Sequence, residues 1–478
     1  MTKPAPALFW FRDDLRVADN PALAAACASD RPVICCYVLD EESAGVRPLG
    51  GAARWWLSRS LAALETAIKR HGGTLVLRRG KAAHIIGELV AETAAKAVYW
   101  NRRYGAAEIA VDTAIKEALK RQGVEATSSN GALLHEPWEV LNKAGEPFRV
   151  FTPYHRAAAA RPVRAPCPAP PSPRLVNGIS SDTLADWTLE PQHPDWAGGL
   201  RTFWTPGEDG ARERIADFLD GGMKGYAGGR DRPDQDHTSR LSPYLRFGNI
   251  SPHQVLAAVG HAEDAGTIPA HDAAKFFAEL YWREFSYALL FHFPDLGTRN
   301  FQRRFDAFPW RSDTAFLKAW QRGRTGYPLV DAGMRQLWET GWMHNRVRMV
   351  AASFLIKHGL IDWRDGEAWF WDTLVDADPA NNTASWQWVA GSGADAAPYF
   401  RIFNPVTQSE KFDPQGDYIR RFVPELAELP AQTIHQPWAA SEPVLKQADV
   451  RLGETYPRPI IDHAAARQRA LDAFARVK

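Results

Sequence analysis

The sequence predicts an α/β domain with a doubly wound parallel sheet, followed by an all-α domain, and three observations carry that prediction. Short apolar runs alternate with helical stretches through the first 150 residues. Strands separated by helices of 10–20 residues imply parallel pairing through crossovers. The stretch RPVRAPCPAPPSPR at residues 161–174 is too rich in proline for regular structure and reads as an extended linker. Beyond residue 200 the apolar residues recur almost purely at helical spacing. The expected boundaries are 1–135 for the α/β domain, 136–199 for the linker and 200–478 for the helical domain.

Residues 7–11 (ALFWF) have the look of a buried strand, and PVICCYVLD within 31–40 is a second β-rich run. The turn pair Gly72-Gly73 precedes a third strand at 74–77; AVYW at 97–100 is a fourth and 123–127 a fifth. Between them, residues 54–70 place Leu57, Leu61, Leu64 and Ile68 on one stripe, and 82–95 and 107–122 are helical. In the second half, helices are expected near 207–221, 251–260, 272–293, 314–322, 327–339, 345–358 and 366–375. No internal repeat is present.

Composition removes several classes. With 45% hydrophobic and 24% charged residues, the 478-residue chain is globular rather than disordered. No run of 18 apolar residues exists, so no membrane-spanning helix is expected. The apolar run at 7–11 meets Arg12 and Asp13, too soon for a signal peptide. Cys27, Cys35, Cys36 and Cys167 have neither disulfide-scaffold nor metal spacing. The expectation is a cytoplasmic monomer with no metal. A formal charge of +1 means that any nucleic acid must be held by a local basic patch. Twelve of the 19 Trp follow residue 200, which a helical core rich in aromatics would explain.

Neither GxGxxG nor GxxxxGK[ST] occurs, so the usual dinucleotide and P-loop signals are missing. Arg12-Asp13-Asp14-Leu15-Arg16 ends the first strand, at the edge where open α/β sheets bind ligands, although a solvated turn with an Asp cap reads equally well. Four constellations could carry chemistry. Thr238-Ser239-Arg240-Leu241-Ser242-Pro243 offers hydroxyls at a helix start, with Ser242 as N-cap; that suits an anion, and simple capping is the alternative. Ser251-Pro252 is a second such start. Glu279, Trp282 and Arg283 share a helix face, where a carboxylate beside an indole could grip a flat heterocycle, or Glu279 and Arg283 could form a surface pair. Asn345, Arg348 and Met349 share another face, with Arg346 pointing elsewhere and His344 readable as structural. Asp376, Asp378, Asn382, Trp386 and Trp388 follow an apolar helix; no further ligand supports a metal there, and an Asx turn at Asp378-Pro379 is the plain reading.

Together and in order, these motifs resemble the DNA photolyase/cryptochrome family. FWFRDDLRVADN, TSRLSPYLRFGNISP, ELYWREF, GYPLVDAGMRQLWETGWMHNRVRM, NNTASWQWVAGSGADAAPYFRIFNP and KFDPQGDYIRRFVPEL carry the resemblance over nearly the whole chain, and within the family bacterial class I cyclobutane pyrimidine dimer photolyases look most similar. The resemblance implies an antenna-binding α/β domain and a helical domain holding FAD, reduced when active. Position by position it implies Tyr226, Thr238, Ser239, Leu241 and Ser242 as binders of flavin phosphate and ribityl, and Glu279 and Trp282 at the lesion, Trp282 bordering the flavin as well. It implies Asn345, Arg348, Asp376, Asp378 and Asn382 around the flavin ring, with Met349 and Trp388 in the lesion pocket. Trp386, Trp363 and Trp310 match an electron-transfer triad from flavin to surface, and Arg230, Arg346, Arg401 and Lys411 a phosphate-gripping rim.

Family membership leaves the activity divided among cyclobutane dimer repair, (6-4) photoproduct repair and light sensing without repair. The (6-4) enzymes resemble each other in a histidine pair at the positions of Asn345 and Met349, and neither residue here is a general acid. Plant and animal cryptochromes usually replace the residue matching Asn382 and carry a long tail, whereas this sequence has about fifty residues after Leu426. The expectation is light-dependent repair of DNA containing cyclobutane dimers, by an electron from excited reduced FAD; the alternative is a cryptochrome-type photoreceptor. Asp378 is followed by Pro379 where the family more often has Leu. The antenna is open between methenyltetrahydrofolate, a deazaflavin and none, because Thr298 and Arg299 stand where many folate-binding members have lysine.

Overall fold

The computed structural model describes residues 4–170, 173–396 and 400–477. Pro171 and Ser172 of the expected linker, and 397–399 of the NNTASW…FNP motif, lie outside the described residues. The chain divides into two compact units. The first holds residues 1–197, 204–224 and 239–294; the second holds 198–203, 225–238 and 295–478. This division differs from boundaries at 135 and 199, because two helical stretches of the later sequence associate with the sheet-bearing unit.

The sheet of the first unit has five parallel strands: β1 (Ala7–Phe11), β2 (Val33–Leu39), β3 (Leu75–Arg79), β4 (Ala97–Asn101) and β5 (Glu125–Ser129), in the order β3-β2-β1-β4-β5. Ala7 pairs with both Val33 and Ala97, so β1 is central. β1, β2 and β4 are buried throughout, as apolar runs without alternation require when helices cover both faces. β5 is half exposed and starts two residues later than its apolar pattern suggests. Leu57, Leu61, Leu64 and Ile68 of the Gly51–Arg70 helix are all buried, as their spacing predicts. Within the expected linker, Phe151–Ala159 is a helix, which packs against the long Ala270–His292 helix.

The turn after β1 is neither open nor solvated. The Asp14 carboxylate accepts from Arg12 N at 2.6 Å and from Asn101 Nδ2 at 2.6 Å, and it is buried. The Arg12 guanidinium pairs with Asp112, which also accepts from Trp100 Nε1 at 2.9 Å. Arg16 donates to the carbonyls of Asp19, Gly248 and Gly131. Arg12, Asp14 and Arg16 thus form a buried polar knot at the carboxyl ends of β1 and β4, while the more exposed Asp13 pairs with Arg246. Buried charges persist only when compensated, and here Arg12 is by Asp112, and Asp14 and Arg16 by their hydrogen bonds.

The second unit is helical. Tyr327 precedes Pro328 at the start of the Pro328–Thr340 helix, and Gly341 ends it at φ +65°, the asymmetry proline and glycine impose. The Asn345–Ser353 helix continues into a wider π-turn at Phe354–His358. Trp363–Thr373 and Asn381–Ala390 complete the set that shapes the site. One core joins Trp320, Trp363, Trp386, Met334, Met343 and Val347, among others.

Replacing Asp112 by Ala strands the buried Arg12. The expected loss is about 3–5 kcal/mol of stability in urea denaturation. A loss under about 1 kcal/mol would mean that water reaches the guanidinium after all.

Candidate functional site

In the second unit the Asn345–Ser353 helix sends its polar side chains to different partners. Arg348 donates from both terminal nitrogens to Asp376, at 3.2 and 2.8 Å, and from Nε to Met343 O at 2.7 Å. Asp376 is almost fully buried and Arg348 about a quarter exposed, so the bidentate pair is fixed at the border of the core. Arg346 leaves on another side, donating to Asp231 at 2.7 Å and lying over the Phe412 ring at 4.4 Å. The different facing expected for Arg346 and Arg348 is therefore realised. Asn345 is exposed and Met349 half-buried.

His344 is the helix N-cap and its Nδ1 accepts from Arg346 N at 3.2 Å. Burial lowers its pKa to about 4, with Arg230 and Arg346 adding to the effect and Asp231 opposing it. At neutral pH the ring is uncharged.

Asp378 Oδ1 accepts from Ala380 N at 2.9 Å, Asn381 N at 2.7 Å and Asn381 Nδ2 at 3.0 Å. The Asx turn is real, but the helix begins at Asn381 rather than at Pro379. Asn382 Nδ2 donates to Glu367 O at 3.1 Å and Glu367 Oε1 at 2.8 Å. Both partners are acceptors, so the orientation of the amide is determined and its oxygen is the group left to meet a donor. Glu367 escaped the sequence reading; nothing local marks it, because its partner lies 15 residues on.

The three triad tryptophans share the second unit. Trp363 and Trp386 are core residues and Trp310 packs half-buried against the same cluster. Trp386 meets Phe370 edge-on at 4.9 Å and Trp320 at 6.2 Å. A Cβ at Gly366 would come within 2.2 Å of the Trp386 ring, so only glycine permits this approach. Trp363 Nε1 donates to Asn300 Oδ1 at 2.9 Å. Trp388 is half-buried on the Asn381–Ala390 helix. Arg346, Arg401 and Lys411 line one open cavity of about 1150 Å³. Arg230 is not among its lining residues and lies over Tyr226 at 5.8 Å. Tyr226 opens a short helix that ends at Gly229, and Thr238 also belongs to this unit.

The first unit carries Ser239, Leu241, Ser242, Glu279 and Trp282. Ser242 is the first helical residue, not the N-cap; Leu241 holds that place and makes no side-chain cap bond. Simple capping does not account for Ser242, whereas Ser251 forms a complete capping box with Gln254. Glu279 pairs with Lys275 at 3.1 Å. Arg283 donates instead to Ala132 O at 2.9 Å and pairs with buried Glu284, so the expected Glu279–Arg283 surface pair is replaced by these contacts. Phe151 covers one face of Trp282, with centroids 3.7 Å apart and planes at 8°. Among the described residues no group of three His, Cys, Asp or Glu is placed to hold a metal, and no helix is long and apolar enough to cross a membrane.

Comparison with known proteins gives this arrangement its family. Residues 7–173 match the profile described as DNA photolyase, and 276–476 match the FAD binding domain of DNA photolyase. A deoxyribodipyrimidine photo-lyase of Agrobacterium fabrum is 54% identical over 100% of this chain and 99% of its own. Cryptochrome-1 of Arabidopsis thaliana is 36% identical over 98% of this chain and 70% of its own. The crystal structure of a bacterial class III photolyase from Agrobacterium tumefaciens has 53% identity, a TM-score of 0.96, and coverage of 100% and 98%. The chain belongs to the DNA photolyase family, and its C-terminal part is that family's FAD binding domain. The expected likeness is to class I, whereas the Agrobacterium tumefaciens structure, which matches over the whole chain, is of a class III enzyme.

The buried, neutral His344 has a thermodynamic consequence. The unfolded chain takes up a proton below about pH 6.5, while folded His344 does not until about pH 4. Its contribution is therefore complete above about pH 6.5 and is lost as pH falls toward 4, by about 3 kcal/mol in all. His344→Asn can still cap but cannot titrate. Stability measured against pH is expected to fall less steeply for this variant between pH 6.5 and 4; identical slopes would show that His344 is protonated in the fold.

Proposed function

We propose that the protein repairs cyclobutane pyrimidine dimers in DNA, driven by light, with reduced FAD as electron donor. The observation that carries this reading is the face of the Asn345–Ser353 helix shared with Arg348. Asn345 and Met349 occupy it, and neither an amide nor a thioether gives up a proton at neutral pH. His344 is neutral, buried and committed through Nδ1 to Arg346 N. Splitting a cyclobutane ring breaks two carbon–carbon bonds and needs an electron lent and returned, with no net proton. A (6-4) lesion requires an oxygen-bearing group to pass between bases, which calls for a donor at this face.

The residues fit a flavin. When bound and photoexcited, reduced FAD supplies the electron to the dimer and recovers it. In our reading the Arg348–Asp376 pair would set the charge beside a bound ring, and the fixed amide oxygen of Asn382 would be the acceptor offered to it. Asp378 secures the turn that carries Asn382. Tyr226, Thr238, Ser239, Leu241 and Ser242 would bind phosphate and ribityl groups. Glu279 would take the polar edge of an extruded lesion and Trp282 would offer an apolar wall; Phe151 already occupies one face of Trp282, leaving the other for a base. Trp388 would also meet the lesion. Lesion bases stack and pair poorly, which lowers the cost of extrusion, and photolyases are among the established cases of flipping. Trp386, Trp363 and Trp310 would conduct reducing equivalents from the surface. We place the antenna, if bound, in the first unit. There Arg103 has buried Nε and Nη2 atoms without partners, and β4 ends two residues earlier, at Asn101.

The test is illumination of short duplexes carrying either lesion, with products separated by chromatography. Cyclobutane dimers should revert and (6-4) photoproducts should not. Efficient (6-4) repair would overturn the assignment, and failure on both would favour the photoreceptor reading that the cryptochrome relatives suggest. A second test concerns the triad. Trp310→Phe should block photoreduction of oxidised FAD while pre-reduced enzyme repairs nearly normally. Loss of repair by the pre-reduced variant would show that Trp310 serves the fold or the lesion instead.

A further inference from the structure

We propose that the open cavity of the second unit is a groove for the DNA backbone, and that Arg304 and Arg467 grip phosphates there in addition to Arg346, Arg401 and Lys411. The inference rests on DNA being the substrate and adds two residues that no motif of the sequence marks.

Five stretches build the groove: the turn after Gly228, the Arg303–Ala307 turn, the Asn345–Ser353 helix, the segment from Phe400 to Phe412, and the C-terminal helix His463–Ala475. Among the described residues its lining holds Arg232, Arg304, Arg346, Arg401, Lys411 and Arg467 against a single acid, Asp231. Two of the cations are neutralised locally, Arg346 by Asp231 at 2.7 Å and Arg232 by Asp234 at 2.5 Å. Among the described residues no carboxylate pairs with Arg304, Lys411 or Arg467, and all three are exposed. A whole-chain charge of +1 conceals this local excess.

Aromatic rings lie beside several of these cations. The Arg304 guanidinium lies 5.8 Å from the Phe474 centroid, Arg401 5.7 Å from Phe403, Lys411 5.1 Å from Phe412 and Arg346 4.4 Å from Phe412. An aromatic face orients a cation without neutralising it, which leaves the N–H groups to an incoming anion. Arg346 Nε is buried and has no partner, a donor waiting for an acceptor in the same groove. The cavity exceeds the usual range of small-molecule pockets, about 300–1,000 Å³, and its charge is spread along five chain segments. That suits a chain of phosphates better than one compact anion, and cationic grooves interleaved with aromatics are what nucleic-acid strands bind. Arg304 and Arg467 read no base, so their contacts are indifferent to damage.

The experiment uses the full chain carrying Arg304→Ala and Arg467→Ala, singly and together, with the Lys double variant as control. Affinity is measured across salt for two duplexes of one sequence, with and without a cyclobutane dimer, and flavin absorbance verifies the fold. Each Ala change should reduce the log–log salt slope by about 0.9, so that between about 50 and 200 mM salt the affinity falls roughly 3.5-fold less per residue removed. Both duplexes should weaken by the same factor at low salt, and the Lys variant should keep the slope. An unchanged slope in the double Ala variant would overturn the proposal, as would a loss confined to damaged DNA or shared equally by the Lys variant. If the parent protein failed to prefer the damaged duplex, the repair reading would fall while the slopes still decided the groove.

Discussion

The bidentate bond from Arg348 to Asp376 is the interaction on which the helical unit turns. It ties the Asn345–Ser353 helix to the strand of chain that leads through Asp378 into Asn381–Ala390. Removing either partner would leave a charge at the edge of the core, a cost of several kcal/mol that holds the two stretches in one geometry. Once they are fixed, the helix can point Arg346 at Asp231 and keep His344 neutral beneath Arg346 N. The same constraint sets Asn382 against Glu367, and so decides which end of its amide is free. Charge and acceptor are arranged before any ligand arrives, which is the form in which electrostatics help a reaction most.

The tryptophans proposed as an electron path are also packing residues. Trp386 is a core side chain, and the absence of a Cβ at Gly366 lets the Trp363–Thr373 helix approach it. Trp363 is fully buried and its indole N–H is satisfied by Asn300. Trp310, by contrast, keeps contact with solvent. Part of the surplus of tryptophan in the second half of the sequence therefore goes into the core of this unit.

Much of the fold was legible because it depends on periodicity. Leu57, Leu61, Leu64 and Ile68 specify their helix face, and the unbroken runs of β1, β2 and β4 specify a sheet covered on both sides. Local rules failed where a distant partner decided the outcome. The charged segment after β1 reads as a ligand-binding edge or a solvated turn until Asn101, Asp112 and Gly248 take up Asp14, Arg12 and Arg16. Glu279 and Arg283 have the spacing of a helix pair, but Lys275 and Glu284 take their places. Ser242 and Ser251 look alike as Ser-Pro starts, yet Ser251 is an N-cap with a complete capping box and Ser242 is already the first helical residue. Glu367 and Phe151 were invisible: each acts through a partner far along the chain. The helix within the expected linker was hidden for the same reason, since its apolar residues answer to the Ala270–His292 helix.

The central claim is that repair proceeds by electron transfer at a helix face without a proton donor. It is tested most directly by comparing ring splitting in H₂O and D₂O. The quantum yield of cyclobutane dimer repair by fully reduced enzyme, measured per absorbed photon at matched pH readings, should be the same in both solvents. A clear fall in D₂O would mean that a proton moves in the step that decides the yield, and would contradict the account.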